Sequence, residues 1–99
     1  MKSIMNTERG VCYLCGCNEG FERHHIFFGT ANRRKSEEYG LTVWLCPMCH
    51  RDNKRGVHGA NIDAKHRLQV DGQRKFEETH SREEFIAEFG KNFITEEEE

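Results

Sequence analysis

The sequence predicts a small α+β fold stapled by a metal ion. Three observations carry this expectation. Two Cys-x2-Cys pairs, Cys12–Cys15 and Cys46–Cys49, bracket the first half of the chain; two short β-forming runs lie between them; the second half carries helix signals. Ninety-nine residues make one domain, with no room for two cores. With 35% of residues apolar and 32% charged, that core is small and needs a staple. Zinc is the candidate, because Cys-x2-Cys supplies two ligands from one tight turn and two such pairs complete a tetrahedron. Thirty residues separate Cys15 from Cys46, enough for a hairpin and its loop. Five cysteines is an odd number, so complete disulfide pairing within one chain is impossible; Cys17 is the spare thiol. No stretch reads as a signal peptide or a membrane span, so a cytoplasmic protein with reduced thiols is expected.

In chain order, residues 1–9 read as a flexible lead-in and 10–95 as the single domain, with a core over 10–59 and C-terminal helices over 61–95. Gly16, just after Cys15, permits the positive φ of a zinc knuckle. Phe21 to Phe28, ending in β-branched and aromatic residues, predicts a first strand, and Leu41 to Leu45 a second one paired with it as a hairpin. Gly29 to Gly40 between them reads as a loop, with one helical turn at most from Ser36 to Tyr39. Pro47 opens a helix expected from Met48 to Arg55, stopped by Gly56. Asn61 caps a second helical region reaching Glu78, in which Gly72 reads as a break. Ser81-Arg-Glu-Glu84 is a capping box for a last helix, with Phe85, Ile86 and Phe89 on one face and Gly90 as its stop. Phe93 and Ile94 fold back, and residues 96–99 form a solvated acidic tail.

The chemistry concentrates on histidines. Hydrolysis of a phosphodiester needs a cation to stabilise phosphate charge and a base to activate water, and imidazole suits both roles near pH 7. His24 and His25 are adjacent, so a regular strand would turn them to opposite faces; both serve one site where the strand ends or bends. His50, directly after Cys49, reads as a metal ligand for a second site, as an alternative zinc ligand or as a helix N-terminal residue. His58 lies in Gly56-Val-His-Gly59, where a ligand role and a loop role weigh equally. His66 and His80 read as structural.

The order Cys-x2-Cys, His-His-Ile, apolar strand, Cys-x2-Cys-His resembles the HNH endonucleases of the ββα-metal (His-Me finger) class. The likeness spans residues 10 to 59. The later Gly-Val-His-Gly and Phe-Gly-Lys-Asn-Phe-Ile stretches are similar to small phage-encoded HNH proteins, some related to RecA-dependent recombination nucleases; that would place the chain in a host cell cytoplasm. The resemblance implies His25 as general base, His24 and His50 as ligands of a catalytic Mg2+, Mn2+ or Ni2+, His58 as an extra ligand, and Cys12, Cys15, Cys46 and Cys49 as the structural Zn2+ site. It implies DNA as substrate, with Arg33, Arg34, Lys35, Arg51 and Arg55 gripping phosphates. The family's middle Asn has no counterpart, because Gly40, Leu41 and Thr42 fill that region.

Charge agrees with a nucleic-acid partner once it is localised. The net charge is −2, but Glu96 to Glu99 supply four negatives, and from Arg23 to His58 seven Lys and Arg face three acids. Two other readings belong to different classes. One is a zinc-stabilised nucleic-acid-binding module without cleavage. The other is a protein–protein adaptor whose last helix docks a recombinase or a phage packaging protein; it requires exposed Phe85 and Phe89.

Overall fold

The computed structural model describes residues 2–99 and is a small α+β arrangement of one two-stranded sheet and four helices. Strand β1 (Glu22–His25) pairs antiparallel with β2 (Thr42–Leu45), in the register Glu22↔Leu45, Arg23↔Trp44, His24↔Val43 and His25↔Thr42. The hairpin is as expected, but β1 is shorter than Phe21 to Phe28. Ile26 and Phe27 are both buried, and consecutive residues of a strand cannot both face one core, so the chain leaves the sheet after His25.

The connection departs from the sequence reading. Thr30–Tyr39 is a helix, α1, rather than a loop. It has no apolar stripe, which is why its sequence pattern hides it. Glycines with positive φ stand at both ends, Gly29 at +95° and Gly40 at +71°. What holds it is local: the buried Ser36 hydroxyl accepts from Phe27 N–H (3.0 Å) and donates to Phe27 C=O (2.7 Å), fixing α1 to the end of β1. The lead-in is also docked rather than loose. Ile4 N–H donates to Gly40 C=O (2.9 Å), Ser3 Oγ to Thr42 C=O (2.6 Å), and Trp44 N–H to Thr7 Oγ1 (3.1 Å), with Met5 buried. These residues supply hydrogen-bond partners along β2, the strand that would otherwise present an open edge.

Helix α2 (Pro47–Arg51) ends four residues earlier than expected, so Asn53 and Lys54 lie in the following turn. In α3 (Ile62–Phe76) Gly72 does not break the helix. A Cβ there would meet Phe27 and Ile26 atoms at 3.1 to 3.3 Å, so glycine permits the close approach of helix and core. Asn61 caps α3 by accepting from Ala64 N–H at 3.1 Å. Helix α4 (Arg82–Phe89) has the expected capping box at Ser81 and Glu84, and Gly90 ends it.

The core joins β1–β2 to α3 and α4. Phe27 is its centre, with ring centroids 5.3, 4.7 and 5.1 Å from Phe85, Phe89 and Phe93. Phe85 and Phe89 are buried, so the last helix keeps its aromatics inside the fold and does not present them for docking. The acidic tail is held rather than wholly solvated: Glu98 accepts from Thr95 and pairs with His66, and Glu99 pairs with Arg82. Among the described residues, no helix is long and apolar enough to cross a membrane.

Candidate metal centres and the histidine cleft

The fold gathers the paired cysteines. Cys12, Cys15, Cys46 and Cys49 bring their sulfurs within 4.8 Å of one another, a group that can hold a metal ion. Each pair is a knuckle. Cys15 N–H points at Cys12 Sγ (3.5 Å) and Cys49 N–H at Cys46 Sγ (3.4 Å), and Pro47 opens α2 between the second pair. The Cys15 and Cys46 sulfurs are 3.8 Å apart. A tetrahedron with zinc–sulfur arms of ~2.3 Å has edges of about the same length, so these sulfurs fit such an ion. Burial pushes the Cys12 thiol up, but backbone N–H groups outweigh it and bring the thiol down to about 6. Cys49 is pushed up, first by burial and then by the neighbouring sulfurs. A cluster with one favoured thiolate and resisting neighbours is what a cation would relieve. Cys17 lies outside the set of four.

A second cluster, His24, His50 and His58, also brings ring nitrogens within 4.8 Å of one another. Three elements build it. Strand β1 turns His24 inward, where it is 1% exposed. Helix α2 carries His50, its ring centroid 5.1 Å from that of His24. His58 arrives on a loop folded back over α2: Val57 N–H donates to Cys49 C=O (2.8 Å) and His58 N–H to His50 C=O (3.1 Å). Gly56 and Gly59 allow that fold-back, because a Cβ at either would lie 2.3 to 2.7 Å from Asp52 backbone atoms. The His58 ring therefore sits 4.9 Å from His24 and 4.8 Å from His50, centroid to centroid.

The test of fit for a cation is His24 Nδ1, a buried nitrogen with no hydrogen-bond partner among the described residues. Buried polar atoms are normally satisfied, and a metal–nitrogen bond satisfies this one. Burial, then the neighbouring histidine charges, lowers His24 to about 3, and burial lowers His58 as well. Both stay neutral, the form that ligates metal.

His25 faces the other way along β1, yet lines the same cleft. That cleft, of about 230 Å3, is walled by Arg23, His25, Phe28, Arg33, His50 and His58. His24 is not itself a wall of that cleft; it is buried and meets it through the rings of His50 and His58. His25 Nε2 lies 2.9 Å from Glu37 Oε2, and Glu37 is in turn held by Arg23. A carboxylate can only accept, so Nε2 carries the proton and Nδ1 is the basic nitrogen. His50 mirrors this: its Nδ1 donates to Glu22 Oε1 (2.9 Å), which also pairs with Arg51, and Nε2 is left for a cation. The hydrogen bond from Arg23 leads in holding the Glu37 carboxyl below its usual range; for Glu22, burial raises it but the bonds from His50 and Arg51 prevail.

Sequence reasoning missed Glu22 and Glu37. Glu22 stands two residues from His24 and so on the same strand face, a signal the alternation carried. Glu37 had none, since α1 read as a loop. The five basic residues divide. Arg33 lines the cleft and Arg34 is exposed on the same helix. Lys35 is tied to Glu88 and Arg51 to Glu22, while Arg55 lines a separate cavity beside Cys15 and Cys17.

No family model, curated protein or solved structure matches the chain. Function has to follow from the side chains themselves.

Proposed function

We propose that the chain is a metal-dependent DNA endonuclease of the HNH (ββα-metal) kind, with a structural Zn2+ on Cys12, Cys15, Cys46 and Cys49. The observation that supports this reading is the cleft where His25 stands with His50 and His58, two members of the triad completed by the buried His24, with Arg33 at its wall. A divalent ion on His24, His50 and His58 (Mg2+, Mn2+ or Ni2+, with three imidazoles and no carboxylate favouring Ni2+) would stabilise charge on the scissile phosphate and the departing oxygen.

The chain's own groups do the rest. His25 Nδ1 takes a proton from water, whose oxygen forms a bond to phosphorus in line as the bond to the 3′ oxygen breaks, and the 3′ oxygen takes up a proton from a second water. The products carry 5′-phosphate and 3′-hydroxyl ends. Glu37 keeps the His25 ring in the tautomer and orientation that this needs, the part played by the missing Asn in the family the sequence resembles. Glu22 does the same for His50. Arg33 and Arg34 hold the flanking phosphates, which positions the strand without reading its sequence. Lys35, Arg51 and Arg55 are less suited to that role, being paired or remote from the cleft.

The competing reading is a zinc-stabilised nucleic-acid-binding module that does not cleave, supported by the missing Asn. Supercoiled plasmid incubated with Mg2+, Mn2+ or Ni2+ separates the two. The wild type is expected to nick, and His25→Ala to lose at least about a hundredfold. Equal activity in both rejects His25 as the base, and no nicking by either supports the binding module.

A further inference from the structure

Beyond the cleft, Arg9, Phe21 and Trp44 form a second group with the chemistry of a ligand site. They come from three separate stretches of chain. The Arg9 guanidinium carbon lies 5.1 Å from the Phe21 ring centroid and 5.7 Å from that of Trp44. Phe21 is 50% exposed and Val11, close by in the same turn region, is 39% exposed. A half-exposed Phe forgoes part of the stabilisation that its burial would contribute. Among the described residues the Arg9 guanidinium pairs with no carboxylate. A cation over an aromatic face, left open to water, is a stacking surface without its partner.

The group is continuous with the cleft. Trp44 is the cross-strand partner of Arg23, so the two side chains share a face of the sheet, and Arg23 lines the cleft beside His25. Phe21, Arg23 and His25 follow one another at every second residue, at or just before β1. At ~3.3 Å per residue, Phe21 and His25 are about 13 Å apart along the strand. That is no more than about four nucleotides of stacked strand, and fewer when the strand is extended.

We propose that Arg9, Phe21 and Trp44 are a platform on which an unpaired base of the bound strand stacks, a few nucleotides from the phosphate at His25. Every base offers a π face, so such a platform tolerates any sequence but requires the base to be out of its pair. The substrate class that fits is DNA with a single-stranded segment beside the scissile bond, such as a flap, junction or loop, ahead of intact duplex. This deepens the nuclease reading and rests on it for the placement of the phosphate.

Trp44 is the sole tryptophan, so its fluorescence reports on the platform directly. The zinc-loaded full chain, with no other divalent ion, is titrated with a short thymidine oligonucleotide and with a duplex of equal length. The single strand is expected to quench Trp44 and bind at least about tenfold more tightly than duplex. Phe21→Ala should weaken single-strand binding about tenfold, with unchanged circular dichroism and zinc content, and Phe21→Tyr should restore it. Equal binding by single strand and duplex, an unaffected Phe21→Ala, or no quenching at all overturns the platform; the last result leaves this face to a protein partner. Plasmid nicking by the same preparations keeps the two claims apart. A wild type that stacks single strand but never nicks sinks the nuclease reading alone, and a wild type that nicks while Phe21→Ala binds and nicks equally sinks the platform alone.

Discussion

Two glutamates decide how the histidines behave. Glu37 Oε2 at 2.9 Å from His25 Nε2 and Glu22 Oε1 at 2.9 Å from His50 Nδ1 choose opposite tautomers for the two rings, leaving Nδ1 basic in one and Nε2 available in the other. On the proposed nuclease reading, Glu37→Ala is expected to lower kcat by about a hundredfold with little change in KM, because a base free to rotate would be misplaced without weakening the grip on DNA. Steady-state kinetics on a nicked-plasmid readout checks this; a rise in KM at constant kcat would make Glu37 a binding residue. His24 gives a second prediction, with a definite sign. Its folded pKa of about 3 lies below the ordinary 6.5. Above pH 6.5 the ring is neutral whether folded or unfolded and contributes nothing to the pH dependence. Below it, the unfolded chain takes up a proton that the folded chain refuses, so stability falls, by up to about 1.4 kcal/mol per pH unit, until the pH nears 3. Urea unfolding of protein loaded with zinc only should show a lower midpoint at pH 5 than at pH 7. His24→Asn should flatten that difference, and an unchanged slope would mean another group is responsible.

At the scale of elements, the loop 52–61 exists to deliver His58. The loop folds so tightly on itself that a Cβ at Gly59 would sit 2.3 Å from Asp52 O and 2.5 Å from Asn53 O. Gly59→Ala must open this fold and shift His58, the residue before it. The expected result is loss of cation binding at the histidines by at least about tenfold while the cysteine centre keeps its zinc. Calorimetric titration with Mn2+ reads the first, and zinc analysis the second; intact Mn2+ affinity would remove His58 from the ligand set. The elements also show what the sequence could disclose. The knuckles, the hairpin, the Ser81 capping box and the Asn61 cap were legible, because each is written in residues a few positions apart. Helix α1 was not, since its anchor is one Ser36 hydroxyl bonded to Phe27, a contact with no periodic trace. The docking of residues 3–7 on β2 was hidden for a similar reason: backbone hydrogen bonds to a strand edge leave no pattern in a polar segment. The close passage of Gly72 over Ile26 and Phe27 made a glycine look like a helix break when it is a packing requirement.

At the scale of the whole molecule, one short sheet adjoins two groups of side chains with the composition to hold a metal ion. Cys46 and Cys49 follow directly on β2, and His50, the next residue of α2, reaches back to Glu22 and to the ring of His24 on β1. The candidate site was legible as a set of residue types and spacings. Its geometry was not, because the meeting of His24, His50 and His58 depends on a loop fold-back and on burial that linear order does not encode. The central claim is that His24, His50 and His58 hold one cation of their own, separate from the cysteine centre and beside His25. Anomalous diffraction from a crystal of the zinc-loaded protein soaked in Mn2+ measures this directly. The account predicts a manganese peak among the three histidine rings, within coordination distance of His24 Nδ1, and a distinct zinc peak among the four sulfurs; manganese absent from the histidines, with those three rings hydrogen-bonded to protein or water instead, would contradict it.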